Sequence, residues 1–97
     1  MRPVMLSDLT TAARALLRVP MAERRALCER IVCEAKMADR FTRRLQKQHP
    51  EWGNGTLVSA SSKRMLAAER ACDDPEYCAC LTMVLHAISG KEFVAVV

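Results

Sequence analysis

Glycine and proline are scarce in this chain of 97 residues, and the few copies stand at Pro3, Pro20, Pro50, Gly53, Gly55, Pro75 and Gly90. No G-x-G-x-x-G, Walker lysine loop or serine-centred elbow can be built from them, so the usual cradles for phosphates and acyl groups are missing. Paired carboxylates in a plausible cleft are missing as well. No segment approaches the roughly 20 consecutive apolar residues of a membrane span. The opening Met-Arg-Pro-Val-Met-Leu is interrupted by Ser7 and Asp8 before it reaches signal-peptide length. No stretch alternates β-branched and polar residues over a strand length. Five cysteines are an odd number, which disfavours a complete disulfide framework and points to a reducing compartment. The expectation is a cytoplasmic protein of one domain, residues 1–97, free of cofactors.

What is present is helix-forming sequence. The intervals between the prolines and glycines are rich in Ala, Leu, Met, Arg, Glu and Lys, and an all-α, four-helix bundle follows. The first helix is expected from Ser7, acting as its cap, to about Val19, with Leu6, Leu9, Ala13, Leu16 and Leu17 in one stripe. Pro20 separates it from a long second helix, Met21 to about Gln48, whose seam is Leu27, Ile31, Ala38, Phe41 and Leu45, widened by Cys28 and Ala35. A loop of Pro, Gly and Asn follows from His49 to Thr56. Thr56 or Asn54 would cap a third helix from Leu57 to about Ala71, which carries only the thin apolar face of Val58, Met65 and Leu66. The fourth helix opens on Asp74 and Pro75 and stops at Gly90. Its span from about 75 to 89 has almost no wholly polar face, so it is expected to be the central helix.

The net charge of +4 is mild, but its distribution is uneven: Arg14 to Lys47 contain ten basic and four acidic residues, and Glu69, Asp73, Asp74 and Glu76 form an acidic cluster. At about 100° per residue, Arg25, Lys36, Arg40, Arg43, Arg44 and Lys47 fall opposite the apolar seam of the second helix, giving it a basic back that Lys63 and Arg64 would continue. Trp52, in an otherwise polar loop, is expected to fold back on the core and fix the loop, with a ligand-stacking role as the alternative.

The remaining polar groups suggest little chemistry. Cys78 and Cys80 are two apart on a helix and point to nearly opposite sides, so they chelate poorly. A zinc site assembled by folding from Cys72, His49 and His86 is the open alternative to structural thiols. Cys78, Thr82, His86 and Ser89 share one strip, but eight helical residues place Cys78 about 12 Å from His86, too far for proton transfer.

The reading is a non-enzymatic interaction or regulatory adaptor module. Its binding surface would be Arg25, Lys36, Arg40, Arg43, Arg44 and Lys47, with Trp52 and the apolar 91–97 tail as secondary elements. An acidic protein partner fits this surface, and homodimerisation could cover the apolar area that a thin third helix leaves. Nucleic acid, drawn to the same basic face, is the alternative. A helix-turn-helix is disfavoured, because eight loop residues stand where it needs three or four.

The segments His49-Pro50-Glu51-Trp52-Gly53-Asn54-Gly55-Thr56-Leu57 and Asp73-Asp74-Pro75-Glu76-Tyr77-Cys78-Ala79-Cys80-Leu81 resemble those of a group of short bacterial proteins classed as a domain of unknown function. The likeness extends over most of the chain to Gly90. It implies no activity and no site.

Overall fold

The computed structural model describes residues 1–89, which form four helices and, among those residues, no strand. They are α1 (Leu6–Leu17), α2 (Met21–Leu45), α3 (Leu57–Ser61) and α4 (Pro75–Ser89). The stop expected at Gly90 and the 91–97 tail lie outside the described residues. No described helix is long and apolar enough to cross a membrane.

The expected all-α bundle is what the chain builds. Both α1 and α2 meet each of the other three helices, whereas α4 packs on α1 and α2 only. α1 buries Ala12, Ala13, Ala15, Leu16 and Leu17, while α4 buries Tyr77, Cys80 and Val84 and leaves Cys78, Ala79, Leu85 and Ser89 exposed. The reason is side-chain size. Three alanines on α1 let neighbouring backbones approach from several sides, whereas the apolar content that singled out α4 counts residues without regard to packing distance.

Local chemistry sets most boundaries. α4 begins as expected, with Asp74 Oδ1 accepting from the amides of Glu76 and Tyr77 at 3.1 and 3.0 Å. Thr56 caps α3, its hydroxyl oxygen accepting from the Ser59 amide at 3.2 Å. α1 starts one residue earlier than expected, on Leu6, and its cap is not Ser7. Asp8 reaches back to the Met5 amide at 2.8 Å and across to the Val58 amide at 3.0 Å, so one carboxylate ties the starts of α1 and α3 together. α2 ends at Leu45 because Gln46 turns into the left-handed region at φ 54°.

The largest departure is α3. It stops at Ser61, and the chain from 62 to 74 runs without helix. The Ala67 amide donates to the Arg14 carbonyl at 3.1 Å, and Arg14 Nε donates to the Ala67 carbonyl at 2.7 Å. With so thin an apolar face, helical continuation loses to this two-bond clasp on α1. The 49–56 loop is folded by close approaches. Gly55, at φ +97°, lies where a Cβ would come within 2.6 Å of the Asp39 Cα, and Gly53, at φ +79°, where one would meet Ser59 Cβ at 2.5 Å.

Candidate interaction surface

The inner side of α2 is a seam of Cys28, Ile31, Val32, Ala35 and Ala38, all buried. Two charged residues share this buried side. Arg24 is 6% exposed, and its Nε donates to the carbonyls of Leu16 and Val19 at 2.9 and 3.2 Å while an Nη reaches Glu76 Oε1. It therefore closes the C-terminus of α1 and fastens the start of α4. Asp39 is 3% exposed and faces three cations: the Met1 ammonium at 3.1 Å, Arg43 at 3.1 Å and Arg2 at 3.9 Å. Burial alone would push its carboxyl up, but the hydrogen bond and charge of the Met1 ammonium, then Arg43 and Arg2, hold it below the usual carboxylate range. Neither residue stands out in the sequence by composition. Both sit at seam spacing, Arg24 four before Cys28 and Asp39 four after Ala35, and a charge on a seam is the signal that would have found them.

The expected surface residues Arg25, Lys36, Arg40, Arg43, Arg44 and Lys47 are all exposed. They do not form one patch. Arg25 lies about 16 Å along the helix from Lys36, with Glu29 on the same side between them. Lys36, Arg40, Arg43 and Arg44 gather on the last three turns, and Lys47 follows just past the helix end. Arg43 is partly engaged through Asp39. Arg64, expected to continue the surface, is instead held by Glu34, with both carboxylate oxygens at 2.9 Å, and Lys63 donates to the Pro50 carbonyl at 3.2 Å.

Arg24, Arg64 and Arg70 are in ion pairs, and Arg14 bonds a carbonyl. Arg25, Lys36, Arg40, Arg44 and Lys47 have no carboxylate partner among the described residues. Lys36, Arg40 and Arg44 also follow one another at four-residue spacing, where like charges repel by about 0.2–0.5 kcal/mol per pair. The helix dipole offsets part of this for Arg44, which lies in the last turn. An external anion would relieve the remainder.

Trp52 does fold back, but onto a neighbour outside the main core. It stacks on His49 with ring centroids 4.5 Å apart and planes 6° from parallel, and His49 meets Phe41 edgewise at 4.8 Å. His49 Nδ1 accepts from the amides of Glu51 and Trp52 at 3.0 and 3.1 Å, and its backbone pairs with Gly53. One imidazole thus closes the loop from within and carries the indole to the C-terminal end of α2.

The chain belongs to the DUF7742 family, a domain of unknown function. The family profile matches residues 2–88, so the basic row, the aromatic stack and both buried charges lie inside the matched region. No curated protein and no solved structure matches the chain.

Cys28 and Cys80 are buried and Cys33, Cys72 and Cys78 exposed, all as free thiols. Burial, with Glu29 and Cys80 adding to it, pushes the Cys28 thiol up to about 11, so it stays protonated and unreactive. The hydroxyls of Thr82 and Ser89 donate to the carbonyls of Cys78 and His86 at 2.9 Å each, bonds within their own helix. Among the described residues no three His, Cys, Asp or Glu side chains gather in a group that could hold a metal ion. An open depression of about 540 Å³ lies between α1, α2 and the 62–65 turn, lined by Ala15, Arg18, Val19, Leu27, Arg64 and Met65. Arg18 reaches Met65 Sδ there at 3.9 Å.

Proposed function

We propose that this domain is a non-enzymatic interaction module that binds an acidic protein partner through the C-terminal half of α2. The observation that carries the reading is the row Lys36, Arg40, Arg44 and Lys47, exposed and without carboxylates, on a molecule whose other arginines are largely used internally. Such a row steers an oppositely charged surface and sets orientation more than it sets final affinity. The five unpaired thiols support a reducing, cytoplasmic setting. Nucleic acid is the second reading, favoured by the same basic row. Weighing against it, α3 has five residues, too few to serve as the recognition helix of a helix-turn-helix after α2.

Recovery of partners from the native cell by wild type and by the triple variant Lys36→Glu, Arg40→Glu, Arg44→Glu tests the reading. Partners should be lost with the variant. Arg43 is left intact because it bonds Asp39. Equal recovery would mean that the surface lies elsewhere. Retention on duplex DNA that falls steeply as salt rises would move the assignment to nucleic acid.

A further inference from the structure

We propose that the doublets Lys36-Met37, Arg40-Phe41 and Arg44-Leu45 form a ledge that docks an acidic amphipathic helix of a partner protein. The inference rests on the function proposed above and narrows it to one chemical class of partner. A basic residue followed by an apolar one recurs every four positions. On a helix this lays two parallel ridges side by side, Lys36–Arg40–Arg44 and Met37–Phe41–Leu45, with rungs about 6 Å apart. The apolar ridge is open: Met37 is 47% and Leu45 49% exposed, and Phe41 between them is half-buried. Cys33 extends it by one turn, its Sγ lying 3.8 Å from Met37 Sδ.

Ridges of this spacing take the four-residue ridges of a second helix into the groove between them. That helix must carry apolar side chains at three- and four-residue spacing toward Met37 and Leu45. It must also carry carboxylates along the flank toward Arg40 and Arg44, because those guanidiniums have no internal partner among the described residues. From Phe41, the middle rung, ring contacts run on to His49 and Trp52 in the loop that follows α2.

Two other occupants fit less well. Single-stranded nucleic acid needs open ring faces for its bases, but Trp52 and His49 already cover one face of each other and Phe41 meets the same imidazole. A second copy set ledge to ledge would oppose like charges. The exposed acids Glu23 and Glu29 alternate with Arg25 and Arg30, and Glu69 and Asp73 lie on the irregular segment before α4.

The test is fluorescence anisotropy with three labelled probes at low salt. One is a synthetic peptide of about 18 residues, long enough for partial helix, with leucines at four-residue spacing flanked by glutamates. The second is the same composition scrambled, and the third is oligothymidylate. The patterned peptide should bind wild type at least about fivefold tighter than the scrambled one, a difference of the size that aligned apolar burial supplies. Arg40→Glu/Arg44→Glu should weaken it at least about tenfold, and Met37→Ser/Leu45→Ser at least about threefold, whereas Arg25→Glu, off the ledge, should change it less than about twofold. All these side chains are exposed or partly exposed, and unchanged circular dichroism will show that the variants fold. Failure of the patterned peptide to bind overturns the ledge, as does tighter binding of oligothymidylate. Equal binding of the two peptides, or no effect of the serine variants, overturns the ledge but leaves a charge-driven surface. Indifference to charge reversal removes both readings.

Discussion

Replacing Arg24 with methionine should destabilise the fold more than any exposed arginine change, because one side chain joins three elements. Its Nε lies 2.9 Å from the Leu16 carbonyl and 3.2 Å from that of Val19, in the last turn of α1 and just past its end, and its Nη bonds Glu76 at the start of α4. Methionine keeps the apolar stem and removes every polar contact. The two carbonyls share one N–H and count as a single charge-assisted hydrogen bond of about 1.5–3 kcal/mol. Glu76 is 42% exposed at its side chain, so the ion pair is screened and adds less than a buried pair would. Together the loss is about 2–4 kcal/mol, a large part of the roughly 5–15 kcal/mol that holds a small domain folded. In a domain of this size that lowers Tm by about 10–25 °C. Urea unfolding followed by far-ultraviolet circular dichroism measures it directly. Arg24→Lys retains the charge but cannot fork between the end of α1 and Glu76, so it should recover only part of the loss. A loss under about 1 kcal/mol for methionine, within the range of an ordinary surface change, would refute the reasoning, as would full recovery by lysine.

The ion cluster on Asp39 makes a pH-dependent contribution. Its folded-state pKa lies below the ordinary 3.8, so the carboxylate stabilises the fold above that value and the contribution is lost as pH falls through the lower folded pKa. Asp39→Asn should therefore be less stable than wild type at neutral pH and converge with it in acid, as urea melts across pH will show; a constant gap would contradict the cluster. Under native conditions a thiol reagent should label Cys33, Cys72 and Cys78 rapidly, with Cys28 and Cys80 reacting only on unfolding, and mass spectrometry reads the sites. Gln46 holds φ 54°, which costs a side-chain-bearing residue about 1–2 kcal/mol. Gln46→Gly should thus gain about 0.5–1 kcal/mol after the entropy of a freer unfolded chain and raise Tm by a few degrees in a thermal melt.

The parts of this fold that were legible in the sequence are those set by neighbours along the chain. Pro20 and the Asp74-Pro75 pair act within one turn, so the breaks before α2 and α4 follow from residue type alone. The end of α3 is different, since the contest was decided by Arg14, 53 positions from Ala67. The start of α1 is set locally, by Asp8 reaching back to the Met5 amide, but its tie to α3 runs through the Val58 amide 50 positions away, which no local capping rule contains. Counting apolar residues found the core helices but misplaced the centre, because alanines give a helix access to several neighbours without adding much hydrophobicity.

The basic run on α2 held two kinds of charge that composition cannot separate. Position on the helix separates them. Arg24 and Asp39 fall at the spacing of the buried seam and are used to fasten α1, α4 and the N-terminus, while Lys36, Arg40 and Arg44 fall roughly opposite that seam and have no acid among the described residues. A buried charge without partners would cost more than this small domain can absorb, so each seam charge had to acquire several. An exposed one meets no such requirement, and water suffices. Internal pairing on α2 is therefore evidence about folding, and the row Lys36, Arg40 and Arg44 is a run of like charge that folding does not explain, whereas the exposed Arg25 and Arg30 nearer the start alternate with Glu23 and Glu29. That row is also where an apolar ridge stays open beside it, with Met37 and Leu45 each about half exposed. Two departures from what an isolated helix would favour, like charges in succession and apolar side chains in water, coincide on the same three turns, and one acidic amphipathic partner would resolve both.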